Sequence, residues 1–264
     1  MRILMYHEVV EGEPEELHAV SKGQFRLQMR WLHEAGYTSM ALSDWLSAGP
    51  GKSRNLTAAR GVIITFDDGY RDNYHTAWPI MQEFGLGATI FLVAGRMGQT
   101  GAWRPGALGR APLLTLSEAR EMSRAGVRFG SHTVNHADLS NLEPAAVEQE
   151  LRASRQMIEQ TLGQPVDTLG YPYSRFTRSV KDMVRQAGYR VACSSPTGYV
   201  GAANSDPYDL RRITVLAEDH LDDFAKKVSG NWRLRLSWYR RTLSLWRRQL
   251  LNKRLPSVQE ARQQ

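Results

Sequence analysis

The first 216 residues of the chain alternate between short apolar runs and longer segments with a helical period. The apolar runs are rich in β-branched residues, as in Val-Ile-Ile-Thr-Phe at 62–66, and end in glycine or polar residues, which is typical of buried strands. The predicted strands are 2–10, 62–66, 88–93, 127–130, 168–171, 190–194 and 212–216. The predicted helices are 24–35, 74–84, one that opens at Thr115, 144–162 and 177–187.

Alternating strands and helices predict parallel βαβ units in one α/β domain. The chain has 264 residues, which suits a barrel of roughly 250 residues. In such folds the functional residues lie in the loops that follow the carboxyl ends of the strands. Candidate chemistry is therefore sought where each predicted strand ends.

Two adjacent carboxylates, Asp67 and Asp68, follow the strand at 62–66, and Gly69 allows a sharp turn after them. Two acids at the end of a buried strand repel each other and lose hydration, and a bound cation would relieve that cost. Taken alone, the pair is more often an ordinary Asp-Gly turn.

A histidine pair follows the strand at 127–130. His132 and His136 stand at i and i+4, so one helical turn would place both imidazoles on the same side. Imidazoles at this spacing suit zinc, although such a pair alone is more often two exposed loop histidines. The carboxylates and the histidines both follow predicted strands, and together they predict a metal site. Three nitrogen or oxygen ligands with one open position are typical of catalytic zinc.

These motifs resemble those of the NodB-like polysaccharide deacetylases, carbohydrate esterase family 4. The first motif of that family is Thr-Phe-Asp-Asp-Gly, present at 65–69, and His-Thr-Val-Asn-His at 132–136 matches the second. Gly-Tyr-Pro-Tyr-Ser at 170–174 matches the third motif only in part. The resemblance covers residues 1–216. It implies a distorted (β/α) barrel with about seven parallel strands.

The resemblance implies a role for each matched residue. Asp68, His132 and His136 would hold one divalent metal ion, with zinc (Zn²⁺) expected, and Asp67 would be the general base that activates water. The backbone N–H of Tyr173 would stabilise the oxyanion. The alternative for Tyr173 is a structural aromatic beside a proline. The implied reaction removes N-acetyl groups from amino sugars and yields acetate and a free amine.

Several family positions are filled differently in this chain. Gly170 stands where the third motif has the arginine that orients the base, so either Arg175 reaches in or the base is held in another way. Ser174 replaces the glycine of the same motif. No element matches the fourth motif, and the catalytic-acid histidine of the fifth motif is missing.

A replacement for the missing acid lies near the start of the chain. Leu-Met-Tyr-His at 4–7 ends the first apolar run, so His7 is expected at the same rim as Asp67 and His132. A Tyr-His opening marks a branch of the family with circularly permuted motif order. A barrel permits this permutation, because its first and last strands are neighbours. The resemblance therefore implies that His7 is the general acid. The alternative is a strand-end histidine that is hydrogen-bonded to the backbone.

Three residues are candidates for substrate contact: Trp103, Tyr171 and Arg175. Trp103 belongs to a long glycine-rich connection at 95–112, and connections of this length are often lids or binding loops. Its indole either stacks on a sugar face or docks on the barrel. The sequence leaves both interpretations open.

Charge divides the chain into two predicted parts. Residues 226–264 contain eleven Lys and Arg and one Glu, so this segment carries a net charge of +10, while residues 1–225 carry −3. Residues 1–225 are the predicted catalytic barrel, and 226–264 a basic amphipathic helical tail. Its apolar stripe comprises Trp232, Leu236, Tyr239 and Leu243. The tail is typical of a segment that contacts an anionic membrane surface, although docking on the barrel or a partner protein is an equal alternative. No nucleic-acid-binding motif accompanies the charge.

The single cysteine, Cys193, excludes disulfides within the chain and lies in an apolar run typical of core. The first residues do not have the pattern of a signal peptide, and no apolar run approaches the ~20 residues of a membrane span. The expected location is the cytoplasm or the cytoplasmic face of the membrane.

The function predicted from the sequence is metal-dependent N-deacetylation of a bacterial poly- or oligosaccharide. The substrate classes considered are an exopolysaccharide, a peptidoglycan-like polymer and a lipid-linked glycan. One alternative is an amidohydrolase that acts on a non-sugar amide with the same metal chemistry. Another is a non-catalytic carbohydrate-binding relative, although such a protein would not need a complete set of ligands and a base.

Overall fold

The computed structural model describes residues 2–44, 60–103, 108–199, 201 and 205–230. The apolar stripe predicted from Trp232 to Leu243 lies outside the described residues, as does the rest of the segment 231–264. Among the helices of the described residues, none combines the length and the apolar character that a membrane crossing requires.

A sheet of parallel strands forms the centre of the fold. Its order is β10-β9-β8-β7-β6-β5-β1-β11, with β4 also paired to β5. The strands are β1 Arg2–Tyr6, β4 Tyr37–Ser39, β5 Arg60–Phe66, β6 Thr89–Leu92, β7 Arg128–Ser131, β8 Thr168–Gly170, β9 Val191–Ser194, β10 Leu210–Arg211 and β11 Ile213–Thr214. The first and last strands of this order, β10 and β11, are separated in the chain by Arg212 alone, so the sheet nearly closes on itself. The predicted α/β fold with a distorted barrel is confirmed.

Helices cover the outside of the sheet. They are α1 Lys22–Glu34, α2 Trp78–Glu83, α3 Leu116–Arg124, α4 Pro144–Leu162, α5 Arg178–Gln186 and α6 Leu221–Ser229. The predicted capping box is present: the Thr115 side chain accepts a hydrogen bond from the Glu118 backbone, and the Glu118 side chain accepts one from the Thr115 backbone. α4 begins at a proline and ends before Gly163, whose φ of 66° suits a left-handed cap.

Side chains alternate between the two faces of the central strands. Ile3, Ile63, Phe91 and Cys193 pack together in one buried cluster, while their sequence neighbours pack in the larger cluster that includes the helices. Burial raises the pKa of the Cys193 thiol to about 12, so this side chain remains protonated. It belongs to the core, as predicted.

The strand predicted at 2–10 is interrupted in the structure. β1 ends at Tyr6, and β2 (Glu8–Val10) leaves the main sheet to pair with β3 (Ala19–Ser21). His7 lies at the break. β3 and β4 have three residues each, too few to show a period of two, which explains why the sequence did not predict them.

Helix α6 begins one residue after His220, in a polar run at 217–223 that has the pattern of a helix start, and it runs across the predicted boundary between 225 and 226. Its Lys227, counted from the sequence as part of the tail, is buried and donates to the carboxylate of Asp219. Lysines are almost always exposed, so a sequence pattern assigns them to the solvent face of a helix. The buried position of Lys227 was therefore not predicted. The compact unit continues through Gly230.

Candidate metal centre and active site

The carboxyl ends of β1, β5, β7 and β8 carry the predicted site residues. β1 and β5 pair in register from Arg2 with Val62 to Tyr6 with Phe66. His7 and Asp67 therefore leave neighbouring strands at the same level, and the Asp67 N–H donates to the Tyr6 carbonyl at 3.0 Å.

Asp68, His132 and His136 form one buried cluster. Oδ1 of Asp68 lies 3.4 Å from Nε2 of His132 and 3.1 Å from Nε2 of His136. One potential ligand atom from each residue falls within 4.8 Å of the others. Two imidazole nitrogens and one carboxylate oxygen are the donor set of an open, catalytic zinc-type centre. The three residues therefore fit a single divalent ion.

The backbone fixes which nitrogen of His132 faces the cluster. Nδ1 of His132 donates to the carbonyl oxygen of Gly170 at 2.7 Å, which leaves the Nε2 lone pair directed to the Asp68 side. Burial lowers the pKa of His132 to about 4, although the charges of Asp67 and Asp68 oppose this shift. The ring is therefore neutral, which a metal ligand must be.

The histidine motif is not a helical turn, which corrects the prediction from its spacing. Thr133 has φ 67° and His136 has φ 57°, both in the left-handed region that residues with a Cβ seldom adopt. Asp68 is also left-handed, with φ 70°. Such conformations persist where surrounding contacts hold them and are concentrated at functional sites. The two rings converge through these turns, with centroids 4.8 Å apart.

Asp67 does not join the cluster but is held by Arg212. The guanidinium donates to Oδ1 at 2.6 Å and to Oδ2 at 2.7 Å, and both side chains are buried. Burial alone would raise the pKa of Asp67. The charge of Arg212, with smaller contributions from His132 and His7, reverses this effect, so that the pKa lies below its ordinary value. Asp67 is therefore an ionised, oriented carboxylate beside the cluster.

Arg212 is the residue that the sequence analysis missed. Arg175, predicted as a replacement for the motif arginine, instead pairs with Asp138 at 2.9 Å, and its side chain is 64% exposed. A Cβ on Gly170 would lie 3.0 Å from Nδ1 of His132 and 3.1 Å from the Phe91 ring, so a larger residue there would require both side chains to shift. An arginine inside an apolar strand run was the available signal, since a buried arginine needs an acidic partner.

His7 lies at the same rim as Asp67, as the sequence predicts. Its side chain is buried, and its ring centroid lies 4.8 Å from that of His18. Its position is also fixed through the backbone, because Nδ2 of Asn73 donates to the His7 carbonyl at 2.9 Å. Asp67 is close enough to feel the charge of a protonated His7.

Tyr173 lies beside His136. Its ring is half exposed and contacts the edge of His136, with centroids 4.6 Å apart. Tyr173 and Ser174 are consecutive left-handed residues, with φ 57° and 56°. The Ser174 hydroxyl accepts from the Ser195 N–H at 2.8 Å, which holds the turn in place where the family motif has glycine.

The remaining candidates differ in position. The Trp103 indole stacks on the His136 imidazole at 4.7 Å with an interplanar angle of 11°, so it lies over a predicted metal ligand. Arg175 lies at the surface, with its guanidinium 6.0 Å from the centre of the Tyr173 ring. Tyr171 is buried, donates to the Tyr208 carbonyl at 3.0 Å and stacks on Phe176. This packing argues against the predicted substrate contact of Tyr171.

Taken together, the site combines a metal-ligand cluster with an ionised carboxylate beside it and an imidazole nearby. A metal ion supplies Lewis acidity, a carboxylate accepts a proton, and an imidazole donates one. These are the components of a hydrolase that attacks a carbonyl carbon with water.

Comparisons with known proteins indicate one family. The family model described as polysaccharide deacetylase matches residues 54–192. The chain is 30% identical over 220 residues to the putative polysaccharide deacetylase YxkH of Bacillus subtilis, covering 81% of this chain and 70% of that protein. It is 24% identical over 222 residues to the poly-beta-1,6-N-acetyl-D-glucosamine N-deacetylase of Staphylococcus aureus, covering 81% and 73%.

A solved structure supports the same assignment. The structure of the Streptococcus pyogenes deacetylase PplD in complex with acetate superposes with a TM-score of 0.73 and 26% identity, covering 86% of this chain and 97% of that chain. The IcaB structure from Ammonifex degensii, at 20% identity and a TM-score of 0.66, shares the fold over 86% of this chain and 96% of that one. From the matched family model and the similarity to YxkH, the chain belongs to the polysaccharide deacetylase family.

Proposed function

We propose that the protein is a metal-dependent hydrolase that removes N-acetyl groups from the amino sugars of a bacterial poly- or oligosaccharide. One observation carries the proposal: the Asp68, His132 and His136 cluster lies beside a carboxylate, Asp67, that is kept ionised by Arg212. The S. aureus relative is named as an N-deacetylase of poly-β-1,6-N-acetylglucosamine, and the PplD structure contains acetate. Both are consistent with loss of an acetyl group.

Asp68, His132 and His136 hold the metal in this proposal. Two nitrogen donors and one oxygen donor suit zinc among the common divalent ions. When bound, the ion polarises the amide carbonyl and makes water more acidic.

Asp67 is the general base. Both carboxylate oxygens accept hydrogen bonds from Arg212, so the group is fixed in orientation and ionised before substrate binds. Water that loses its proton to Asp67 attacks the carbonyl carbon of the N-acetyl group. The backbone N–H of Tyr173 stabilises the negative oxygen that results, in a turn held by the Ser174 hydroxyl.

His7 is the general acid. The departing amine is a poor leaving group and must be protonated as the C–N bond breaks. An imidazole suits this task near neutral pH, and His7 lies at the rim beside Asp67. The assignment of the chain to a branch with a Tyr-His motif stays a prediction.

Substrate contacts come from the exposed edge of the site. The half-exposed Tyr173 ring and the exposed Arg175 guanidinium lie beside His136 and Asp138, respectively. Aromatic faces bind the apolar faces of sugar rings, and guanidinium groups bind their hydroxyls. Trp103 closes the site over His136 and contributes to the wall against which the acetamido group lies.

Acetate release tests the proposed function. The protein is incubated with oligomers of β-1,6-linked N-acetylglucosamine, with other N-acetylated glycans and with a panel of cyclic amides. The proposal predicts acetate release from at least one glycan, and release at least about 10²-fold slower from Asp67→Asn. Turnover of cyclic amides alone would favour the amidohydrolase, and binding of glycans without turnover would favour the non-catalytic relative.

The basic segment that follows the compact unit is proposed to attach the protein to an anionic membrane surface, at the cytoplasmic face. Its support is charge: residues 231–264 contain nine Lys and Arg and one Glu, a net charge of +8, and each basic residue near an anionic leaflet contributes about 1 kcal/mol. Sedimentation with anionic liposomes tests this, with a chain that ends at Gly230 as the control. Equal pelleting of both chains would exclude membrane attachment through the tail and favour a partner protein.

A further inference from the structure

The loop that carries the two histidine ligands is held from outside by one carboxylate. Oε2 of Glu150 accepts from the backbone N–H of Val134 at 2.8 Å and from that of Asn135 at 3.1 Å. Oε1 of Glu150 accepts from Nδ2 of Asn135 at 2.7 Å. Glu150 lies on α4 and belongs to none of the motifs at the ends of the strands. Three hydrogen bonds therefore tie this helix to the residues immediately before His136.

The opposite side of the loop is held by the short turn that follows β6, at 94–96. The Ala94 N–H donates to the Thr133 carbonyl and the Gly95 N–H to the Val134 carbonyl, both at 2.9 Å. A Cβ on Gly95 would lie 2.8 Å from the Val134 carbonyl oxygen. The carbonyls of the loop are therefore bound by Ala94 and Gly95, and its amides are bound by Glu150.

The two histidines depend on this support to different degrees. His132 follows β7 directly and is oriented by the Gly170 carbonyl. His136 is itself left-handed and comes three residues after a second left-handed residue, Thr133. Both conformations are unfavourable without contacts that fix them. Loss of the Glu150 bonds would release the amides between these two residues, so the change would act mainly on His136.

We infer that Glu150 is a positioning residue for the metal centre: it holds the 133–136 loop in the conformation that directs His136 toward Asp68 and thereby sets the affinity for the metal. The inference rests on the proposed metal centre but not on the identity of the glycan. Groups that orient metal ligands are worth about 10–100-fold in metal affinity. A ligand held loosely must be ordered when the ion binds, and the affinity falls accordingly.

Metal affinity, measured without substrate, tests the inference. The metal-stripped full-length protein is titrated with Co²⁺, whose absorption reports the ligand set, and with Zn²⁺ in competition with a chromophoric chelator. Glu150→Ala removes all three bonds and is expected to weaken binding about 10–100-fold. In Glu150→Gln, the amide oxygen can still accept from the two backbone N–H groups, and the new NH₂ group can donate to Asn135 if that side-chain amide flips by 180°. This variant should therefore keep most of the wild-type metal affinity.

The matched control is Glu148→Ala, two positions earlier on the same helix. Glu148 is exposed and pairs with Arg152, so its loss should leave the affinity within about twofold of the wild type, as for a surface ion pair. Thermal unfolding of the metal-free variants shows whether each one folds.

The outcomes separate the inference from the proposed function. If the wild type binds Co²⁺ and the folded Glu150→Ala matches Glu148→Ala in affinity, the positioning role is wrong and Glu150 only stabilises the fold. Unchanged affinity in Glu150→Ala with a lowered melting temperature leads to the same conclusion. A wild type that binds neither ion overturns the proposed metal centre itself, and the inference with it.

Discussion

Replacing Arg212 by methionine is predicted to destabilise the protein and to inactivate it. The change keeps an unbranched side chain of similar length but removes every hydrogen bond to Asp67. Arg212 is fully buried, and Asp67 is nearly so. The variant therefore leaves a nearly buried carboxylate without its arginine counterion, where solvent and salt screen its charge only weakly.

The structure sets the magnitude of this effect. Two charge-assisted hydrogen bonds, at 2.6 and 2.7 Å, contribute about 1.5–3 kcal/mol each, or about 3–6 kcal/mol together. Breaking a buried ion pair by removing one partner typically costs about 3–5 kcal/mol, which agrees. Domains of this kind unfold with about 5–15 kcal/mol, so the variant should fold but with much of its stability lost. Loss of an oriented base should lower kcat by about 10²-fold or more.

Urea unfolding of four proteins measures the predicted coupling: wild type, Arg212→Met, Asp67→Asn and the double variant. The double variant should be more stable than Arg212→Met, because it no longer buries an unpaired charge. Arg175→Met is the matched control for stability. It removes an arginine from the exposed pair with Asp138 and should cost about 0.2–1 kcal/mol.

Two results would refute this reasoning. The first is a free energy of unfolding for Arg212→Met within about 1 kcal/mol of the wild type, the cost of a surface pair; the buried pair would then contribute no more than the pair that Arg175 makes. The second is simple additivity of the Arg212→Met and Asp67→Asn effects, which would show that the two residues act independently.

Three further predictions concern the site. His132→Ala and Asp68→Ala should each lose the bound metal, because each removes one of three ligands; full occupancy in both, by elemental analysis, would contradict the ligand set. Asp67→Asn should keep the metal and lose about 10²-fold or more in kcat; if it empties the site while Asp68→Asn does not, the two aspartates have exchanged roles. His7→Ala should keep metal and fold and lose most of kcat with little change in KM, and a fully active variant would remove the general acid from the account.

The sequence predicted those site residues whose side chains suit the chemistry and which also follow a predicted strand. Asp68, His132 and His136 are recognisable because their side chains suit a metal and each follows a predicted strand end. The register of parallel strands then brings those ends to one rim. His7 was placed at this rim for the same reason, although the break between β1 and β2 was not foreseen.

The parts that the sequence did not predict depend on contacts between distant residues. Arg212 and Asp67 are 145 positions apart, and nothing in an isolated arginine indicates which acid it meets. The loop geometry at Thr133 and His136 was also missed, because local preference disfavours a left-handed backbone there and the loop's hydrogen bonds come from Glu150 and from the turn after β6. Tyr171 was a candidate for substrate contact but packs in the core.

The central claim is that a metal held by Asp68, His132 and His136 is required for deacetylation. The most direct measurement is acetate release from an N-acetylated glycan by protein that has been stripped with a chelator and reloaded with increasing amounts of Zn²⁺, with Asp68→Ala treated in parallel. The account predicts that turnover rises in proportion to bound metal, reaches its maximum near one ion per chain, and stays absent in Asp68→Ala at every metal concentration. Full turnover by the stripped protein, or recovery of Asp68→Ala to the wild-type rate, would contradict it.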